Sequence, residues 1–303
     1  MYDTSLLDAE AAFRRYEAIR SRLPQADFPP ASVRAASLAA IAGQYDAFVL
    51  DAFGVLNVGE RAISGAPDRI ADLRAAGKAV IVLTNAASYT RETAVSRYRA
   101  LGFDFAVEEI VSSRDVAAAH LDRVAPGIRW AAIAAEGDTF EDIAADVSDL
   151  LADDTLWDTA GGFLFLSSIR WSASLQERLA AALGALPRPL VIANPDLVAP
   201  RDAGLSVEPG FWGHDIQDRT GQTPFYFGKP FPDAFHMVRD RLKDVGPTRV
   251  AMVGDTLHTD ILGGRSAGFE TVLVTAHGLF AGLDVADYVV RSGIVPDVTA
   301  VTT

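Results

Sequence analysis

The chain has no cysteine. That absence removes disulfides, thiolate catalysis and cysteine-held metals together, and it leaves the redox compartment open. Positive charge is also scarce: 27 basic residues stand against 40 acidic ones, a formal net charge of −13. Without a cationic field, nucleic acid and anionic membrane are excluded as general partners, although a local cationic pocket for a small anion remains compatible. No stretch approaches the ~18 consecutive apolar residues of a membrane span. The first 27 residues are charged and helical in pattern, without the apolar core of a signal peptide, so a soluble cytoplasmic protein is expected. What is plentiful is apolar content, 50% of 303 residues, enough for a full core and more consistent with two domains than one.

The chain is organised around Tyr45 to Leu56. Here an apolar run stops at Asp51 and passes into Ala52, Phe53 and Gly54, which reads as a buried strand delivering a carboxylate to the end of a sheet. Pro67 to Gly77 has proline at the start and glycine just past the end, the expected asymmetry of a crossover helix. Lys78 to Asn85 is a second buried strand, ending in Thr84 and Asn85, and a helix from Thr90 to Leu101 follows. Strand, helix, strand, helix with short links predicts a parallel α/β sheet. Later, Pro224 to Pro230 presents Lys229, a helix begins at Pro232, Arg249 to Asp255 is a strand ending in a carboxylate, and Glu270 to Val274 is a further strand.

Two segments fall outside that core pattern. Residues 1–44 read as a helical extension, with helical spacing over 5–22 and again from Ser32 to Ala42, and carry no visible chemistry. Residues 112–214 read as an inserted α/β module of about a hundred residues, flanked by core-type strands. Core segments 45–111 and 215–303 therefore enclose it. Within the module, Asn194-Pro195-Asp196 lies at a strand end, where side chains can reach back toward the main crevice, and Pro209 to Gly213 reads as a return loop.

Two short strings mislead. Gly264-Arg265-Ser266-Ala267-Gly268 matches a hydrolase nucleophile elbow, but the elbow needs a strand before the serine, and this sequence offers a helix. Gly228-Lys229 ends like a phosphate-binding loop, yet Pro230 stands where Ser or Thr is required. The five histidines, His120, His214, His236, His258 and His277, show no metal-ligand spacing and read as core or surface positions.

The four core signals make chemical sense together. A carboxylate attacks a phosphate ester only when the ester's charge is neutralised and its oxygens are held, so the site needs a nucleophile, a divalent cation and fixed donors. Asp51 is the candidate nucleophile and metal ligand; Asp255 and Asp260 complete an oxygen-rich set of the kind Mg2+ accepts. Thr84 and Asn85 offer neutral donors, and Lys229 a fixed positive charge.

In this order, Asp51 to Val55, Thr84-Asn85, Gly228 to Pro230 and Gly254 to Asp260 resemble the four motifs of the haloacid dehalogenase superfamily, over about residues 45–290. The place of the insertion and the Asn194-Pro195-Asp196 string resemble its class IIA branch, the sugar-phosphatase and 4-nitrophenylphosphatase-like proteins. The resemblance implies a Rossmann-like parallel-sheet core with an inserted α/β cap, Mg2+ as cofactor, and a small phosphorylated metabolite as substrate. It further implies an aspartyl-phosphate on Asp51, a metal ligand in the backbone carbonyl of Phe53, substrate contacts at Gly54, Asn194 and Asp196, and a homodimer through the cap.

One departure stands out. The family's phosphatases carry a second aspartate two residues after the nucleophile, to protonate the leaving oxygen; here that residue is Phe53. General acid–base help is worth roughly 10²–10⁴ in rate. The sequence leaves three readings: an acid supplied from elsewhere, with Asp196, Glu60 and His258 as candidates; turnover restricted to good leaving groups; or a phospholigand-binding module that has lost turnover. Dehalogenases of the superfamily also carry an aromatic residue there, but lack the paired carboxylates that Asp255 and Asp260 supply.

Overall fold

The computed structural model describes residues 8–201, 204–243, 245–246 and 249–303. Its larger sheet has seven strands in the order Val33–Ser37, Val298–Thr302, Glu270–Val274, Val250–Gly254, Ala47–Leu50, Ala79–Thr84, Ile110–Ser112, with every neighbouring pair parallel. Ala47–Leu50 and Val250–Gly254, at its centre, are buried along their whole length. That is why both read in sequence as unbroken apolar runs rather than alternating ones. From Ala47–Leu50 the chain builds the sheet first in one direction and then, after the insertion, in the other, so the strand order reverses between these two strands. The crevice at the carboxyl ends of strands on either side of such a reversal is where open α/β sheets place their ligands.

The smaller sheet has five parallel strands in the order Phe225–Tyr226, Leu190–Ile192, Gly162–Phe165, Arg129–Ile133, Asp146–Asp149. Arg129–Ile133, Gly162–Phe165 and Leu190–Ile192 are largely apolar, while Asp146–Asp149 is too polar to announce itself as a strand in the sequence. Two expectations are corrected. Phe225–Tyr226, read as the return to the core, pairs with Leu190–Ile192 at the edge of the smaller sheet. The segment Pro209 to Gly213, read as a loop, opens a twelve-residue helix, Pro209–Thr220, so the boundary expected at 214–215 falls inside a helix. Pro209 in the first turn starts that helix, and the left-handed Gly221 ends it.

The extension also differs from expectation. A helix, Ala9–Ala18, is present, capped by Asp8; Leu6 and Leu7 of the expected helix lie outside the described residues. The Ala-rich stretch expected to be helical instead forms the strand Val33–Ser37, followed by a 3-10 segment, Leu38–Gln44. Its partner is Val298–Thr302, a strand not anticipated, in the register Val33 to Val298. Parallel pairing with a chain end about 260 residues away overrides the local helix preference of alanine. Among the described residues no helix is long and apolar enough to cross a membrane.

Candidate active site

Asp51 follows the last residue of the strand Ala47–Leu50, and its amide donates to Val253 O at 2.9 Å, so the central strand pair places it. Asp255 follows the neighbouring strand. After it the chain makes one wide turn, Leu257–Ile261, in which the Ile261 amide donates to Thr256 O at 3.3 Å, and this turn brings Asp260 back beneath the strand ends. Such π-type turns recur at functional sites. One carboxylate oxygen from each of Asp51, Asp255 and Asp260 lies within 4.8 Å of the others.

Lys229 is set against this cluster. Its ammonium is 2.5 Å from Asp51 Oδ1 and 2.7 Å from Asp260 Oδ1, and its side chain is almost wholly buried. Burial pulls the ammonium down, yet Asp260, Asp51 and Asp196 together hold it above the ordinary lysine range. Burial pushes the Asp51 carboxyl up to about 6 against the pull of Lys229. Asp255 is raised well above its usual range, by burial first and then by Asp260 and Asp51. Three buried carboxylates around a single ammonium leave an excess of negative charge and oxygen donors, which fits a hard divalent cation.

Asn85 organises the opposite side. Its Oδ1 accepts from the Lys229 amide at 2.7 Å, while its Nδ2 donates to Lys229 O at 2.9 Å and to Asp196 Oδ1 at 2.8 Å. One amide thereby clamps the lysine loop and reaches Asp196, beyond the end of the strand Leu190–Ile192. The loop needs glycine at 228: its φ is +130°, and a Cβ there would stand 2.6 Å from Asn85 Oδ1 and 2.7 Å from Pro195 Cδ. Thr84, buried beside them, accepts from the Ala86 amide at 3.2 Å.

Above these residues opens a cleft of about 680 Å³, walled by Asp51, Thr84, Asn85 and Asp255 from the larger sheet and by Asn194, Asp196 and Glu208 from the other side. Lys229 and Asp260 are buried and do not line it. Gly54, expected to touch substrate, is not in the wall: it packs against Asp255, where a Cβ would sit 2.7 Å from the carboxylate carbon. Asn194 is in the wall, but its amide is committed locally, accepting from Asp196 N at 3.0 Å and donating to Glu208 at 3.1 Å. Phe53 lines the cleft with its ring beneath the Arg201 guanidinium, 5.4 Å from the centroid. His258 is not in the cleft; it is buried, stacked on Tyr16 at 4.8 Å and bonded to Glu17 at 2.5 Å.

Several residues in the wall carried no sequence signal. Arg201 and Glu208, bonded to each other at 3.0 Å, lie at the end of Val198–Arg201 and just after Gly204–Val207, two antiparallel strands too brief for periodicity to reveal. Ser88 donates to Ser167 across the cleft at 3.1 Å, joining the two units. Trp212, in the segment read as a return loop, is buried and also reaches the wall.

A carboxylate cluster with a buried lysine at the switch point of a parallel sheet, roofed by an inserted unit, defines a class of α/β hydrolases. This chain belongs to the haloacid dehalogenase-like hydrolases, with the insertion arranged as in class IIA. The family model for haloacid dehalogenase-like hydrolases matches residues 48–147, and a second one, for HAD-hydrolase-like domains, matches 226–300. Human chronophin is 30% identical over 252 residues, which cover 80% of this chain and 84% of that protein. A structure of a possible sugar phosphatase from Cytophaga hutchinsonii superposes with a TM-score of 0.79 at 24% identity, over 89% of this chain and 98% of that one. A glycerol phosphate phosphatase from Mycobacterium tuberculosis, solved in complex with magnesium, aligns with a TM-score of 0.64 at 26% identity, over 78% of this chain and 69% of that one.

Proposed function

We propose that this chain is a magnesium-dependent phosphatase that hydrolyses a small phosphomonoester through an aspartyl-phosphate on Asp51. The observation that carries the reading is the Lys229 ammonium bridging Asp51 and Asp260, with Asp255 in the same cluster. Asp51, Asp255, Asp260 and the Phe53 carbonyl would hold the cation, which when bound supplies charge neutralisation for the phosphoryl oxygens. Lys229 keeps the nucleophile ionised and fixed in place; Thr84 and Asn85, both in the cleft wall, serve as neutral donors to those oxygens. The phosphatase named above, solved with magnesium, supports both the chemistry and the cofactor.

The test is p-nitrophenyl phosphate turnover with added Mg2+. Asp51→Asn is expected to abolish it while the unfolding free energy from urea denaturation stays within about 1 kcal/mol of the parent, because Lys229 keeps its bond to Asp260. Turnover that survives the substitution removes Asp51 as nucleophile. Phe53 supports a second reading, a phospholigand-binding protein without turnover, for which parent and variant alike would be silent while vanadate still binds.

A further inference from the structure

Phe53 leaves the departing oxygen without a proton donor where the superfamily motif carries one. Among the described residues, besides Asp51 and Asp255, the cleft wall contains three carboxyl groups: Glu60, Glu208 and Asp196. Glu60 stands at the exposed rim, bonded to Arg97 at 2.6 Å. Glu208 accepts from Arg201, Ser206 and Asn194, so its oxygens are committed as acceptors. The Tyr89 hydroxyl, also in the wall, is made a still weaker acid by burial.

Asp196 differs from all of these. It is half-buried and lines the cleft beside Asp51, and its Oδ1 accepts from a neutral amide, Asn85 Nδ2. The nearest cation, Lys229, is divided between Asp51 and Asp260. We infer that Asp196 is the proton donor to the leaving oxygen, supplied by the inserted unit in place of the group that Phe53 lacks; this rests on the phosphatase reading above. The charges facing it agree. Burial first, and then the Asp51 and Asp260 carboxylates, push its carboxyl up to about 8 against the pull of Lys229 and the Asn85 hydrogen bond.

The step balances. An Asp51 oxygen forms a bond to phosphorus as the phosphorus–ester oxygen bond breaks, the electron pair leaves with that oxygen, and the Asp196 proton joins it to release a neutral alcohol. Asp196, now a carboxylate, takes a proton from the water that attacks the aspartyl-phosphate. Inorganic phosphate departs, Asp51 is regenerated, and Asp196 is protonated again.

The measurement is kcat/KM for parent and Asp196→Asn on p-nitrophenyl phosphate and on an alkyl phosphate, with Mg2+ present. The asparagine keeps an oxygen for Asn85 but has no proton to give. Loss of about 10²-fold or more on the alkyl ester, with less than about 10-fold on the nitrophenyl ester, is expected. Equal losses on both esters, or none, overturn the assignment. Should the variant fail to fold, the parent decides alone: a steep fall in rate from nitrophenyl through phenyl to alkyl esters means that no donor acts, and a shallow one supports the assignment. A parent inert on every ester sinks the phosphatase reading itself.

Discussion

His214 shows how burial sets a titration. It lies inside the helix Pro209–Thr220, stacked on Tyr226 at 4.6 Å with its Nδ1 3.0 Å from the Tyr226 hydroxyl. Desolvation, with help from Arg22 and Arg15 and against Asp218, lowers its pKa to about 3. The unfolded chain protonates this ring near the ordinary value of about 6.5. Stability from the neutral ring is therefore complete above that pH and is lost as pH falls toward 3, because the unfolded state then binds the extra proton. Between about pH 6.5 and 4.5 the parent is expected to lose about 2 kcal/mol more than His214→Gln. Urea midpoints at the two pH values check this, and parallel losses in both proteins would contradict it.

Among the elements, the helix Ser113–Val124 carries the heaviest electrostatic commitment. It leaves the last strand of the larger sheet through a capping box of Ser112 and Asp115 and buries Arg114 completely. Arg114 meets Asp138 through Nη1 and Nη2 at 2.6 and 2.9 Å, and Asp142 through Nε and Nη2 at 2.6 and 2.7 Å. The helix is thereby fastened to the segment that links two strands of the smaller sheet. Removing the cation leaves two poorly solvated carboxylates, one of them 5% exposed. Arg114→Leu is expected to cost about 3–5 kcal/mol, read from chemical denaturation. A loss under about 1 kcal/mol would show that the aspartates regain solvent.

For the whole molecule, the N-terminal segment ties the two sheets' packing together. Phe13, Tyr16 and Ile19 are buried in one apolar cluster with Phe165 and Trp212 from the insertion and Leu257 and Ile261 from the larger unit. The Tyr16 hydroxyl accepts from the Leu197 amide at 3.1 Å, next to Asp196, while its ring lies on His258. Arg15 and Arg22 both pair with Asp218. Burying three such side chains is worth roughly 5–9 kcal/mol, so deleting residues 1–23 is expected to lower the unfolding free energy by at least about 4 kcal/mol. An unchanged denaturation midpoint would show that the segment is dispensable.

The chain's own order of residues determined the strands ending at Asp51, Thr84 and Asp255, because burial on both faces writes itself as a continuous apolar run. It likewise determined the motif set Asp51, Asn85, Lys229 and Asp260, whose meaning depends on local spacing. Tertiary structure decided the rest. Val33–Ser37 became a strand only by pairing with Val298–Thr302. Phe225–Tyr226 joined the smaller sheet through Leu190–Ile192. Asp196 acquired its place through Asn85, 111 residues away, and His258 its burial through Glu17, 241 residues away. Contacts at such separations depend on how the layers pack, and no local pattern of side chains encodes them.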